Sequence, residues 1–212
     1  MIIAIDGTTA SGKGTIAKRL AAKYGLPHMD TGCLYRATGI AAIRQGVALD
    51  DAEGLERIAA TLDPAAFSDA ELRTGEAGKA ASQVAVVPEV RRALFGLQRA
   101  FATQPGGALL DGRDIGTVIA PDADVKLWVD ANVEQRGYRR WREYLGYGQV
   151  ISLEEVIRQM RIRDERDQSR KDAPATIATD AILIDTTDLT IDAAVEKAIA
   201  AVEAVLARGK TV

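Results

Sequence analysis

A glycine-rich stretch, Gly7-Thr8-Thr9-Ala10-Ser11-Gly12-Lys13-Gly14-Thr15, constrains this chain more than any other feature, because of what flanks it. Before it, Met1-Ile2-Ile3-Ala4-Ile5 is an unbroken apolar run of the kind that forms a buried parallel strand, ending at Asp6. After it, Ile16, Ala17 and Leu20 alternate with Lys18, Arg19 and Lys23 at helical spacing, and Gly25 supplies a stop. Strand, turn and helix in this order aim backbone N–H groups of the helix start into one concavity, where the helix dipole favours an anion. Lys13 adds a mobile cation for the outer phosphates of a nucleoside triphosphate. The pattern fits G-x-x-x-x-G-K, yet Gly14 follows the lysine and the first hydroxyl is Thr15, which makes Thr15 the candidate loop contact for Mg2+. The competing reading is a glycine-rich connection without a ligand, and the strand and helix on either side weigh against it.

The rest of the chain alternates strand and helix patterns. Leu26–Asp30 predicts a short second strand, and Asp30-Thr31-Gly32 opens a helix through Leu34, Ala37, Ile40 and Ile43, with Asp30 or Thr31 as cap. Arg36 falls in the first turn of that helix, where a cation opposes the dipole; a bound anion and simple solvation both explain it. Residues 48–60 predict an acidic helix closed by Leu62-Asp63-Pro64, whereas 65–82 are small, polar and poorly periodic and suggest a minor subdomain or flap without assignable elements. An amphipathic helix runs from Pro88 to the Pro105-Gly106-Gly107 break. Strands are expected at Ala108–Leu110, Val125–Asp130 and Ala181–Asp185, and a last helix at Ile191–Leu206, with Gly209 just beyond it. The alternation predicts a single doubly wound α/β domain over 1–212, with a mainly parallel five-stranded sheet flanked by helices. Ligands of such sheets bind beyond the carboxyl ends of the strands, which singles out the loop Asp111-Gly112-Arg113-Asp114-Ile115-Gly116-Thr117.

Charge points the same way. Net charge is −3 over 212 residues, which argues against general nucleic-acid binding. Within this acidic chain, Arg136, Arg139, Arg140 and Arg142 crowd one expected helix and Arg158, Arg161, Arg163, Arg166 and Arg170 the next, with Gly146-Tyr147-Gly148 between. Such crowding predicts an anionic partner and a mobile lid; the alternative is a solvated face laced with acidic residues. No run approaches membrane-spanning length and no basic leader precedes the first strand, so the expectation is a cytoplasmic protein without membrane partners. Cys33 and His28 are each the sole residue of their type, which excludes an internal disulfide and a cysteine-rich zinc site.

A phosphate loop alone fits a kinase, a regulatory GTPase or a mechanical ATPase. No Asn-Lys-x-Asp segment follows a strand, and no strand ends in Asp-Glu. Arginines on several separate segments instead suit a small phosphorylated acceptor beside ATP, since phosphoryl transfer depends on positioning and charge neutralisation. Another small-molecule kinase, acting on UMP, AMP or a non-nucleotide, and a nucleotide-binding switch remain the rival readings.

Five segments in order, Gly12-Lys13-Gly14-Thr15, Asp30-Thr31-Gly32-Cys33-Leu34-Tyr35-Arg36, Ala81-Ser82-Gln83-Val84, Asp111 to Thr117 and Arg166-Asp167-Gln168-Ser169-Arg170, resemble the bacterial cytidylate kinases over essentially the whole chain. The resemblance implies the P-loop kinase fold, with a small acceptor-side insertion at about 60–87 and an arginine-rich helical lid at about 131–170. It implies transfer of the γ-phosphate of ATP, with Mg2+, to CMP or dCMP in pyrimidine nucleotide metabolism by a monomer. Gly7 to Thr15, with Arg139 and Arg140, would hold ATP. Thr31, Arg36, Ser82, Arg91, Arg113, Asp114, Arg163, Asp167 and Arg170 would hold CMP: Ser82, Arg91 and Asp114 around cytosine, Asp167 and Arg170 at the sugar hydroxyls. Lys13, Arg113 and Arg163 would be catalytic. The chain departs from the family in Thr8, where a proline is usual, in Thr31, where serine is more familiar, and in a shorter, less strand-like stretch at 62–81. With Lys13 assigned to the donor, Lys13→Ala is expected to lose most turnover while calorimetry shows CMP affinity nearly intact. An equal loss of CMP affinity would contradict that division of labour.

Overall fold

The computed structural model describes residues 1–209. Its centre is a five-stranded sheet, and every pairing in it is parallel: β1 (Ile2–Gly7), β2 (His28–Asp30), β3 (Ala108–Gly112), β4 (Val125–Asp130) and β5 (Ile182–Asp185) lie in the order β2-β3-β1-β4-β5. Because all strands point one way, their carboxyl ends share one edge. The register sets Asp30 beside Asp111, Asp6 beside Gly112 and Gly7 beside Val129 there.

The connecting helices are α1 (Lys13–Tyr24), α2 (Thr31–Arg44), α3 (Ala52–Ala60), α4 (Asp69–Leu72), α5 (Gly75–Val84), α6 (Pro88–Ala102), α7 (Val133–Gly146), α8 (Leu153–Ser169) and α9 (Ile191–Gly209). α1 and α9 cover one sheet face, where Ile16 and Leu20 meet Ile3, Ile5, Leu127, Ile184, Ala198 and Val202. On the other face Ala4 and Leu110 pack against Ala102 of α6 and against Ile115 and Ile119, which belong to a π-helical turn over Ile115–Ile119. A third apolar cluster, including Leu34, Leu55, Val84 and Leu94, joins α2, α3, α5 and α6 beside β2. No helix among the described residues is long and apolar enough to cross a membrane.

Several expectations are corrected. The stretch 65–82, read as lacking elements, is helical: Ser68 and Glu71 form a reciprocal cap at the start of α4, and the Thr74 hydroxyl accepts from the Ala77 N–H at the start of α5. Its periodicity was carried by Ala77, Ala80, Ala81 and Val84, which are buried. Their small size, not an absence of pattern, made the stretch look irregular. Small residues are required there because α5 lies close against α2; a Cβ on Gly39 would sit 2.6 Å from the Ala80 Cβ. The sheet is wholly rather than mainly parallel, and α9 continues through Gly209 instead of stopping before it. Neither Asp30 nor Thr31 caps α2 with its side chain; the Thr31 hydroxyl donates to the Asp111 carbonyl at 2.8 Å. β3 extends to Gly112, so Asp111 is held by a strand and not by a loop.

Two contacts lock the carboxyl edge of the sheet. Asp6 accepts the Ile115 N–H at 2.8 Å and the Gly116 N–H at 2.7 Å, one on each carboxylate oxygen, which ties the segment after β3 to the end of β1. Burial pushes the Asp6 carboxyl up to about 7 against those two donors. Gly7 has φ 152°, and a Cβ there would stand 1.9 Å from the Val129 carbonyl oxygen of β4. Only glycine lets the chain leave β1 this close to its neighbour. Gly7→Ala is therefore expected to lower stability by at least about 2 kcal/mol, read as a drop in Tm by circular dichroism. An unchanged Tm would contradict the packing argument.

Candidate active site

A cleft of about 800 Å³ opens over the carboxyl ends of β1, β2 and β3, between the phosphate loop on one side and α2, α5, α6 and α8 on the other. One wall is the stretch Thr9 to Thr15. Gly12 adopts φ 94° at the start of α1, and its carbonyl accepts the first intrahelical bonds from Thr15 at 3.0 Å and Ile16 at 3.1 Å. No side chain caps this helix and no acidic residue occupies its first turn, which leaves the N–H groups and the positive dipole end facing the cleft. Ala10 holds φ 60°, a left-handed conformation that costs a non-glycine residue about 1 kcal/mol or more and curls the loop. Gly7 and Thr8, expected in this wall, lie beneath it: Gly7 packs against β4, and the Thr8 hydroxyl donates to Asp130 Oδ1 at 2.6 Å.

Lys13 Nζ lies 3.5 Å from the Thr8 carbonyl. Burial, and then repulsion from Arg113, bring the ammonium down to about 7, against the attraction of Asp111 and Asp30. Added negative charge beside Lys13 would move its ammonium back toward its ordinary value.

The opposite wall makes the same demand. Arg36 Nε, Arg91 Nη1, Arg163 Nε and Arg170 Nη2 are buried and have no hydrogen-bond partner among the described residues. A buried donor without a partner costs about 1–3 kcal/mol, more when charged, so four around one cavity describe an anion site. Arg36 is held by Asp30 at 2.7 Å. Burial alone would raise Asp30, but Arg36 and then Lys13 outweigh it and hold the carboxyl at about 2. Arg113 is braced from three sides, by Asp167 Oδ2 at 3.1 Å, the Gly112 carbonyl at 3.2 Å and the Thr9 hydroxyl of the phosphate loop. Arg163 is lowered to about 10 by burial and then by Arg113, with Asp167 4.0 Å away as its counter-charge. Deeper in the cleft Asp114 pairs with Arg91, whose guanidinium lies 5.7 Å from the centre of the Tyr35 ring. Burial raises the Asp114 carboxyl, opposed by Arg91 and Arg170. Arg170 Nε donates to the Asp167 carbonyl at 3.2 Å, and Ser82 and Thr31 complete this wall.

The structure divides the arginines of α7 and α8 that sequence alone had grouped. Arg139, Arg140, Arg163 and Arg170 line the cleft. Arg136 does not: it is buried, pairing with Asp164 at 2.7 Å and donating to the carbonyls of Ala131 at 2.8 Å and Thr9 at 3.3 Å, which makes it a structural tie between α7, α8 and the phosphate loop. Arg158 and Arg161 form exposed pairs with Glu155 and Glu134, the solvated-face alternative. Arg139 donates to the Thr186 carbonyl at 2.6 Å, which seats α7 against the end of β5.

Asp30 and Asp111 were missing from the expected site. Asp30 ends β2 and Asp111 is the penultimate residue of β3, side by side at the carboxyl edge, a position that in an open parallel sheet is itself the signal. Asp111 Oδ1 lies 2.7 Å from Nε2 of His28, the partner that the single histidine lacked in sequence. Cys33 Sγ sits 3.2 Å from Asp30 and 3.0 Å from Arg36, and burial followed by the Asp30 charge pushes its thiol up to about 11, so it is no nucleophile at neutral pH. Among the described residues no three His, Cys, Asp or Glu side chains converge as a metal site. The exposed Thr15 hydroxyl and the Asp111 carboxylate line the cleft beside the loop.

Comparison with known proteins follows this geometry. A family model described as cytidylate kinase matches residues 3–204. The chain is similar to the cytidylate kinase of Xanthobacter autotrophicus, at 55% identity over 204 residues covering 96% of this chain and 98% of that protein. It is similar to the cytidylate kinase of Caulobacter vibrioides strain NA1000 at 50% identity over 207 residues, 98% and 97% of the two chains. Among solved structures, an uncharacterized protein from Eubacterium ventriosum has the same fold, with a TM-score of 0.55 at 16% identity over 96% of this chain and 98% of that one.

The low Lys13 value has a measurable sign. In the empty site the ammonium loses its proton as pH rises through about 7, and a bound polyphosphate moves the group back toward its ordinary 10.5. Binding above pH 7 must take up a proton, so affinity is greatest below about 7 and falls as pH rises from there toward 10.5. We expect calorimetry of ATP binding at pH 8, in buffers of different ionisation enthalpy, to show proton uptake that Lys13→Met abolishes. Equal uptake by the variant would contradict the assignment.

Proposed function

The chain belongs to the cytidylate kinase family, and we propose that its cleft carries out the transfer of the γ-phosphoryl group of ATP to CMP and dCMP, forming the diphosphates. The observation that carries this reading is that four arginines, each with a buried, unpartnered guanidinium nitrogen, line one cavity together with the phosphate loop and the Arg91–Asp114 pair. Two phosphate-bearing substrates are what such a cavity accommodates.

The donor phosphates would lie on the N–H groups of the Gly12–Thr15 turn with Lys13 on the outer phosphate, and Arg139 and Arg140 would flank the rest of ATP. The acceptor phosphate would meet Arg36, Arg113 and Arg163. It is already an ionised nucleophile, so no general base is needed; catalysis consists of bringing two anions together and neutralising the charge that spreads over the moving group. Arg113, braced on both the loop and α8, is rigid enough to do this at the midpoint. Cytosine presents an amino donor beside two acceptors, which the Asp114 carboxylate and the Arg91 guanidinium complement, with Ser82 between them and Thr31 at the acceptor helix start. Asp167 and Arg170 would read the sugar hydroxyls.

The residues beside the loop fit a hard cation held mostly by phosphate oxygens and water: one hydroxyl, Thr15, and one carboxylate, Asp111, with no closed protein cage. Bound there, Mg2+ would neutralise charge on the donor phosphates. Residues 60–87 would form the acceptor-side insertion and 131–170 the lid, closing over both substrates and excluding water. A monomer in the cytoplasm serving pyrimidine nucleotide metabolism is the setting this activity suits.

The deciding experiment is an acceptor panel with ATP. We expect CMP and dCMP to be the preferred acceptors, and greater kcat/KM with UMP or AMP would overturn the reading. Asp114→Ala is expected to erase about 1–3 kcal/mol of the preference for CMP over UMP, the range for a good base-edge contact. An unchanged preference in that variant would remove Asp114 from base recognition.

A further inference from the structure

Ser82 reaches the acceptor end of the cleft from α5, buried beside Ala81, Arg91 and Asp114. Behind it, outside the cleft wall, Arg166 of α8 donates from Nη1 to Ser82 Oγ at 3.0 Å. A guanidinium carries donors and no acceptor, so in this pair the serine oxygen must accept and its own proton remains free. That proton meets no protein acceptor among the described residues. A cationic donor on the oxygen also strengthens the O–H as a donor and disfavours the approach of a second N–H.

We propose that Arg166 is a positioning residue that sets the base selectivity of the acceptor site by fixing the polarity of the Ser82 hydroxyl. This rests on the cytidine nucleotide reading above. The cleft then presents, in one region, an acceptor at Asp114, a donor at Ser82 and free guanidinium donors at Arg91 Nη1 and Arg170 Nη2. The complementary edge reads donor, acceptor, acceptor, which is the amino group, ring nitrogen and carbonyl of cytosine. Uracil offers acceptor, donor, acceptor: its carbonyl would face the Asp114 carboxylate and its ring N–H would face the Ser82 proton. Both mismatches leave buried polar groups unpaired, and this is how a site rejects a close analogue strongly. The serine alone could rotate its proton away and accept from the uracil N–H; with one lone pair already engaged by the cationic Arg166, accepting a second N–H is disfavoured. Because α8 also brings Arg163, Asp167 and Arg170 to the cleft, selection by Ser82 operates only while α8 is seated against α5.

The test compares kcat/KM for CMP and UMP in the wild type, Arg166→Met, Arg166→Lys, Ser82→Ala and the Arg166→Met/Ser82→Ala double variant, with Tm measured for each. We expect Arg166→Met to reduce the CMP-over-UMP preference about tenfold, mainly through KM for the acceptor, with KM for ATP unchanged, and Arg166→Lys to recover part of the preference. In the Ser82→Ala background, Arg166→Met should change the preference no further. An Arg166→Met preference equal to the wild type would overturn the proposal. So would a full additional loss in the double variant, since Arg166 would then act on the base by some other route. A fall in activity toward both nucleotides with lowered Tm and unchanged preference would assign Arg166 a packing role and likewise overturn it. Failure of the underlying function is seen separately, in the wild type, as no preference for CMP at all.

Discussion

Concentrated positive charge in a partly buried cleft is the constraint from which the rest of this structure follows. Lys13, Arg36, Arg91, Arg113, Arg163 and Arg170 converge on one cavity, and burial lowers Lys13, Arg163 and Arg170 from their ordinary values. Such an arrangement persists only if the fold supplies counter-charge and rigid anchoring. It does so with carboxylates at strand ends and on α8: Asp30 holds Arg36, Asp114 holds Arg91, and Asp167 serves Arg113 and Arg163 together. Asp167 shows the balance directly, since burial would raise it and the arginines around it hold it low.

The compensation is incomplete, and its incompleteness is functional. Each carboxylate engages part of its arginine, and among the described residues one buried nitrogen on each of Arg36, Arg91, Arg163 and Arg170 stays unpaired. An empty site of this kind is less stable than a neutral one would be, and a bound anion would supply the missing partners. The backbone contributes in the same manner through the uncapped start of α1 and the left-handed Ala10. Stability and ligand affinity are therefore coupled through the same set of atoms.

How much of this was legible in the sequence depends on the length scale of each interaction. The Gly7–Thr15 turn was readable because strand, loop and helix are contiguous, and Val125–Asp130 because a buried parallel strand is a near-continuous apolar run, interrupted here only by Lys126 before Asp130. The helices in 65–82 were missed because their periodicity is written in alanine, which resembles no pattern until the close approach of α2 is known. The lid arginines could not be sorted because all lie on helices of similar composition. Arg136 turns inward to Asp164 and a loop carbonyl, Arg161 turns out to Glu134, and only tertiary packing separates them. His28 and Asp111, 83 positions apart, become partners solely because β2 lies beside β3.

By itself, then, the sequence determined the α/β class, the strand–turn–helix around Gly7–Thr15 and, by resemblance, the family. These are carried by local backbone requirements and by short motifs whose residues act within one turn of each other. Tertiary structure alone decided which arginines face the cleft, which carboxylates neutralise them, and which of their N–H groups are left free for a ligand. Those outcomes depend on distances between segments that pair only when the parallel sheet brings its strand ends to one edge, because electrostatic and hydrogen-bonding energies are set by separations of a few ångströms that no spacing along the chain records.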